Sequence, residues 1–418
     1  MSRLIDYCLN ITDGEHGTVT DDPCGEYYLL SNKNIIDGKI VITDADRRIN
    51  KATFDKLNKR TDLHKGCVLI ATVGTIGKSM VVVDEPKYTV QRSVGIITPN
   101  PDVLDPDFLK FYLDSPIMQT RIAHATKGAI QKCLFIDDIK ELEVDIPDMP
   151  AQKEIVAKLK PLNDKISLNN SICADLEAMA KQIYDYWFVQ FDFPDVNGNP
   201  YKSSGGKMVW CEELNREIPE GWSILTVDDI SQRVKVGFVG TVDKYYCDES
   251  QGYPIVRPAE MSEEGIDYSS LRYITKEFYL KNKKSQVHKG DILISRCGKD
   301  GIPNIYNSDK EAQVLNAVII EPDEEKADSV FIKEMLKSDY SQVQIMYGTS
   351  GSVQGVINTE MIAKIKLFYR QEVVKAYSGI VKKYYSMINN VKFENIQLTE
   401  LRDFILPMLM NGQIKIGA

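Results

Sequence analysis

The sequence predicts an α+β fold. Two strand-rich domains with curved β-sheets are each followed by a long helix. The two helices pair as an antiparallel coiled coil, and the whole carries an internal pseudo-two-fold duplication. Three observations predict this. The chain has 418 residues, a length that suggests roughly two to four domains. An ordered series of matches shows the sequence written twice. After each copy, apolar residues fall at three-four spacing, the period of a helix seam.

The duplication rests on local matches with a consistent offset. Leu63-His64-Lys65-Gly66-Cys67-Val68-Leu69-Ile70 returns 224 residues later as Val287-His288-Lys289-Gly290-Asp291-Ile292-Leu293-Ile294. Gly74 matches Gly298 and Phe54 matches Phe278 at that offset, while Gly25 and Gly38 match Gly252 and Gly265 at 227. Downstream, Gly128-Ala129-Ile130-Gln131 matches Gly351-Ser352-Val353-Gln354 at 223, followed by Ile139, Leu142 and Val144 against Ile362, Ile365 and Leu367. Loop insertions produce such small drifts, and the period exceeds any solenoid unit.

Within each copy the elements follow in order. Short β-branched runs, Lys39–Ile42, Met80–Val83 and Val314–Ile320, read as strands between Gly, Pro, Asn and Asp turns. The runs Cys67–Ala71 and Asp291–Ser295 lead into glycine loops at Thr72–Gly77 and Arg296–Gly301. Pro106–Leu113 and Ser329–Lys337 read as helices.

The long helices come last. Positions 159, 162, 166, 169, 173, 176, 180, 183 and 187 form the first seam, with Leu159, Leu162, Ile166, Leu176 and Ile183 as its aliphatic members. Positions 380, 384, 387, 391, 394, 398, 401, 405 and 408 form the second, with Ile380, Met387, Leu398, Leu401 and Ile405. Asn169 and Glu394 are polar breaks. Pro161 is expected in a first turn or at a kink, and Pro407 to end or bend its helix. Single helices with matching seams are expected to pair with each other, and an antiparallel pair would hold the two domains at a fixed separation. Lys153 to Trp187 would span roughly 50 Å at 1.5 Å per residue.

Composition narrows the function. The formal charge is −9, from 51 Lys+Arg against 60 Asp+Glu, which argues against an indiscriminate DNA coater. Residues 1–147 and 221–369 each carry 18 Lys+Arg and 22 Asp+Glu, so affinity for nucleic acid cannot come from bulk charge. No stretch approaches the ~20 apolar residues of a membrane helix. No signal peptide is evident and the eight cysteines form no C-x-x-C pair, so reduced thiols in a cytoplasmic protein are expected, with no metal site. Gly74–Ser79 lacks the first glycine of a phosphate loop, since Thr72 stands there. His64 and His288 each precede Lys-Gly and a strand, which suits a turn role. Asp323-Glu324-Glu325-Lys326 reads as a solvated charge run.

Several motifs then point to a family. Ile218-Pro219-Glu220-Gly221-Trp222 with Val227-Asp228-Asp229-Ile230 resembles the start of a recognition domain in type I restriction–modification specificity subunits. Pro147-Asp148-Met149-Pro150-Ala151-Gln152-Lys153-Glu154-Ile155-Val156 is similar to that family's Pro-x-x-Gln-x-x-Ile helix start. Tyr184-Asp185-Tyr186-Trp187-Phe188 and Tyr201-Lys202-Ser203-Ser204-Gly205-Gly206 resemble the end of its central conserved region. Asp13-Gly14-Glu15-His16-Gly17 resembles an opening loop of one kind of recognition domain. The first copy lacks the Ile-Pro-x-Gly-Trp start, and Tyr369–Val374 is a degenerate helix start.

The resemblance implies a target recognition domain at 1–147, a central spacer helix at 148–190 and a linker at 191–217. A second recognition domain follows at 218–369 and a distal spacer helix at 370–418. It implies a non-catalytic DNA-binding subunit that reads a bipartite, asymmetric double-stranded target. Two methyltransferase subunits and restriction subunits would dock on it, with AdoMet, ATP and Mg on those partners and no cofactor on this chain.

Side chains on the loops between matched scaffold segments are the candidate DNA contacts. In the first copy these are His16, Arg47, Arg48, Thr75, Lys78, Arg92, Lys127 and Gln131. In the second they are Arg257, Arg296, Lys299, Asn316, Ser350 and Gln354. The rival functions are an enzyme and a scaffold. A stand-alone methyltransferase would need an Asn/Asp-Pro-Pro-aromatic motif, which is absent; a nuclease would need clustered carboxylates with a lysine, and Asp323-Glu324-Glu325-Lys326 reads instead as a solvated charge run. A coiled-coil scaffold, or a specificity module of another methyltransferase system, remains the alternative.

Overall fold

The computed structural model describes residues 2–36, 38–127, 132–213, 215–263, 265–296, 301–349 and 357–410. It divides into two compact units, 1–171 with 392–418 and 172–391. Each unit takes one strand-rich copy and a portion of both long helices.

In the first unit a four-stranded antiparallel sheet has the order Cys8–Asp13, Val94–Pro99, Val68–Ala71, Ser79–Val81. In the second the order is Ser231–Val236, Ala317–Pro322, Ile292–Ser295, Pro303–Ile305. Register shifts interrupt the same strand pair in both, at Thr98/Pro99 and Ser231/Arg233; such irregularities bend and twist a strand. A second sheet accompanies each, three-stranded in the first unit and five-stranded in the second. In the first unit Tyr27–Leu30 runs parallel to Tyr88–Val90. In the second Gly252–Val256 runs parallel to Ala312–Val314. Short strands close each domain against its own end: Ser2–Arg3 on Glu143–Val144, and Ser223–Thr226 on Lys366–Tyr369.

The helices repeat too, down to their caps. Asp105 caps Pro106–Asp114 through Phe108 N, and Asp328 caps Ser329–Lys337 through Phe331 N. The Ser115 and Ser338 hydroxyls accept from Met118 N and Ser341 N at the next helices, Pro116–Ala125 and Asp339–Thr349. Such oxygens satisfy orphan N–H groups at a first turn. Gly66 and Gly290 hold the matched turns at φ +93° and +96°, where a side chain would be strained.

The first long helix runs Met149–Tyr184, with a π-helical turn Asp185–Val189. Pro161 lies well inside it. Gln152 explains the helix-start motif: fully buried, its amide donates to Val103 O and Pro147 O at 2.8 Å and accepts from Asp105 N at 2.8 Å. The second long helix runs Gln371–Met410, so Pro407 does not end it.

The two helices are antiparallel in each unit. In the first, Asn163 meets Arg402, and Asn169 meets Glu394 and Asn395. In the second, Cys173 Sγ lies 4.0 Å from Ile388 O and Tyr377 Oη donates to Ala180 O at 3.1 Å. The first seam matches the sequence: Leu159, Asn169, Cys173, Leu176, Ala180 and Trp187 are buried, with Leu162, Ile166 and Ile183 half-buried. The second is corrected. Met387 and Leu401 are exposed, and Tyr377, Val381, Tyr385 and Ile388 are buried instead. Ile380, Leu398 and Ile405 are half-buried at the seam's margin. This helix is apolar over a broad arc, and packing against Ala180, Trp187 and Phe331 selects the adjacent register.

The described residues of the linker 191–217 pack within the second unit. Phe191 and Phe193 are buried with Trp222, Arg216 lies over Phe191, and Met208–Cys211 pairs with Arg216–Pro219. The Gly and Ser residues there make tight turns around two aromatic anchors. The run Val314–Ile320 is broken, one strand ending at Val314 and the next starting at Ala317. No described helix is long and apolar enough to cross a membrane.

Candidate nucleic-acid interface

Some of the loop residues that the sequence singled out, His16 and Arg92 in the first unit and Arg296 and Asn316 in the second, lie at one end of each four-stranded sheet. In the first unit four segments meet there: the strand end at Asp13–His16, the glycine loop after Ala71, the turn Gln91–Ser93 and the segment around Cys133. Backbone bonds tie them together. Thr72 N donates to Ser93 O at 3.0 Å, Leu134 N to Thr72 O at 2.9 Å, and Arg92 N to Glu15 O at 3.0 Å. They enclose a cleft of about 470 Å³ lined by Asp13, His16, Thr72, Val73, Arg92, Ser93 and Cys133–Ile136. In the second unit Gly237–Phe238, Arg296, Asn316 and Ile357 meet in the same way, through Arg296 N to Asn316 O at 3.1 Å and Asn316 N to Phe238 O at 2.9 Å.

Gly14 shows how close this assembly is. A Cβ there would lie 2.1 Å from Val90 O, and one at the matching Gly237 would lie 2.7 Å from Val314 O. Both glycines let the end of the first strand cross the parallel strand.

The candidate side chains divide by their partners. His16 Nε2 lies 2.6 Å from Asp13 Oδ2, with Arg60 Nη1 3.7 Å from the other Asp13 oxygen. Arg92 lines the cleft exposed, and among the described residues nothing engages its guanidinium. Thr75 is exposed on the glycine loop. Lys78 faces a separate cleft of about 350 Å³ that also takes Lys110, Gln119, Asn163 and Arg402.

Other candidates are already held. Arg47 is bound to Asp21 at 2.7 Å and to Val19 O at 2.6 Å. Arg48 lies 3.6 Å from Asp44 and over the Tyr28 ring. Lys127 is 2.5 Å from Asp138. Arg257 is clasped by the buried Glu260 beneath a short helical turn, a structural position. Arg296 Nε donates to Ile357 O at 3.2 Å. Asn316 sits at φ +53°, with its amide unengaged by any described residue. Gln131, Lys299, Ser350 and Gln354 lie outside the described residues.

Sequence reasoning missed Arg60, Asp13 and Phe135. Arg60 donates to Gly14 O across 46 residues, a separation that no local pattern reveals. Phe135 is 56% exposed on the cleft wall; its place just after the matched Gly-Ala-Ile-Gln segment was the available signal.

At the opposite end of the second unit's sheet, His288, Asp291 and Glu321 bring three ligand atoms within 4.8 Å of one another. Lys235 is ion-paired to Glu321, so the charge a cation would meet there is already offset. The matching positions of the first unit are His64, Cys67 and Thr98, with Cys67 Sγ 3.6 Å from His64 Nδ1 and 3.7 Å from Thr98 Oγ1. Both copies use the place to pack the turn before a central strand.

Comparisons with known proteins agree with this architecture. A family model described as type I restriction modification DNA specificity domain matches residues 25–178. The chain is 22% identical over 398 residues to the type I restriction enzyme HindI specificity subunit of Haemophilus influenzae, covering 79% of this chain and 82% of that one. It is 22% identical over 382 residues to the MjaIX specificity subunit of Methanocaldococcus jannaschii, covering 90% and 84%. Among solved structures, the type I S subunit from M. genitalium shares the fold with a TM-score of 0.52 at 17% identity, over 98% of this chain and 95% of that one.

Proposed function

We infer that the chain belongs to the type I restriction–modification DNA specificity family and supplies the DNA-reading subunit of such a system. The observation that carries this is the element-by-element duplication. Two copies of one scaffold present equivalent loop clusters whose side chains differ, Asp13, His16 and Thr72 in one against Val236, Val239 and Arg296 in the other. Two readers of one design with different contacts suit a bipartite, asymmetric duplex target. Linking two modest readers multiplies their affinities when the spacing fits.

As a specificity subunit the chain is non-catalytic. Two methyltransferase subunits dock along the long helices and restriction subunits join the complex. AdoMet, ATP and Mg act on those partners, in the cytoplasm. The equal net charge of −4 on residues 1–147 and 221–369 (18 Lys+Arg, 22 Asp+Glu each) leaves affinity to a few loop cations and to partner subunits that close on the duplex. Selection from a library of random duplexes tests the reading. Enrichment of a split motif with a fixed gap is the expected result; a flat library overturns it and favours a scaffold without sequence preference.

A further inference from the structure

We propose that Arg92 and Asn316 are equivalent base readers in the two domains, Arg92 directed at a guanine in one half-site and Asn316 at an adenine in the other. This rests on the DNA-reading role above and adds which bases that role selects.

Hydrogen bonding establishes the equivalence. In the first unit Glu15 N donates to Val90 O at 2.8 Å, Arg92 N to Glu15 O at 3.0 Å, and Thr72 N to Ser93 O at 3.0 Å. In the second unit Phe238 N donates to Val314 O at 2.7 Å, Asn316 N to Phe238 O at 2.9 Å, and Arg296 N to Asn316 O at 3.1 Å. Gln91, Arg92 and Ser93 join the parallel strand to the next strand in the first unit; only Leu315 and Asn316 do so in the second. Asn316 therefore closes alone the two bonds that Arg92 and Ser93 share. It does so at φ +53°, a conformation that asparagine tolerates better than most residues.

Arg92 lines its cleft, Asn316 closes the backbone bonds of its cluster, and both side chains are uncommitted among the described residues. Arg47, Arg48, Lys127 and Arg257 are each held by a carboxylate. A free guanidinium matches guanine N7 and O6 in the major groove, and a free carboxamide matches adenine N7 and N6. One scaffold position thus carries the two side chains best suited to distinguish the two purines.

The test uses the full chain in its native complex with a library of randomised duplexes. Arg92→Ala is expected to lose preference for guanine at one position of one half-site by on the order of 10- to 100-fold, with the other half-site unchanged. Asn316→Gly keeps the backbone conformation and removes the amide; it is expected to lose preference for adenine at one position of the other half-site. Uniform weakening on every sequence by Arg92→Ala would mark a phosphate contact and overturn the proposal. So would an adenine preference that survives Asn316→Gly in a chain folded by circular dichroism, or both variants acting on one half-site. A flat selection with the unaltered chain would instead sink the DNA-reading role itself, and this assignment with it.

Discussion

Burial sets the chemistry of Asp291. Its carboxyl lies under the turn before a central strand, and burial pushes it up to about 6 from an ordinary 3.8, against the lowering effect of the bond from His288 N. The folded chain therefore holds this proton to higher pH than the unfolded chain. The resulting stability is fully present below pH ~4 and is lost as pH rises through ~6. Asp291→Asn keeps the acceptor for His288 N and removes the buried anion. It should stabilise the chain by on the order of 1–2 kcal/mol at pH 8 and by almost nothing at pH 4. Thermal midpoints across that range check this, and a difference independent of pH would contradict it. The matching Cys67 shows the same demand for a neutral group, since burial raises its thiol too.

Among the elements, the helix pair carries a polar layer centred on the fully buried Asn169. Asn169 donates at 2.8 Å to both Glu394 and Asn395, Asn395 donates to Asn170 at 2.7 Å, and Lys165 lies 3.2 Å from Glu394. Asn169 Oδ1 has no hydrogen-bond partner among the described residues. A buried Asn in a seam costs stability and fixes register. Asn169→Leu should raise unfolding stability by on the order of 1 kcal/mol, because Glu394 and Asn395 remain partly solvated. It should also broaden the gap lengths in the selected motif. Denaturant titration reads the first effect, and a loss of stability would count against a register role.

For the whole molecule, the helices are the proposed ruler and the loop clusters the readers. A four-residue change within 163–185 should alter the motif's gap or abolish activity while both half-site preferences persist. Methylome sequencing of cells carrying the variant measures both quantities, and altered half-sites would refute the division of labour.

How much of this was legible in the sequence follows from the range of each interaction. The duplication, the α+β class, the domain–helix order and the seam of the first helix are local signals. A matched His-Lys-Gly turn, a capping Asp and a three-four stripe each lie within a few residues of one another. The second helix shows where locality fails. Its apolar residues fit two registers, and only contact with the rest of its unit buries Tyr385 and Ile388 while leaving Met387 in solvent. The candidate contacts show it again. Arg47 and Arg92 read alike in sequence, yet a carboxylate 26 residues away engages one and nothing described engages the other. The equivalence of Arg92 with Asn316 hides behind a one-residue deletion that shifts the alignment but not the hydrogen bonds. The sequence by itself determined the repeating scaffold, because repeated backbone geometry needs repeated local residues. Only the tertiary structure decided which side chains remain free to read, because ion pairs form between residues that the chain brings together from far apart.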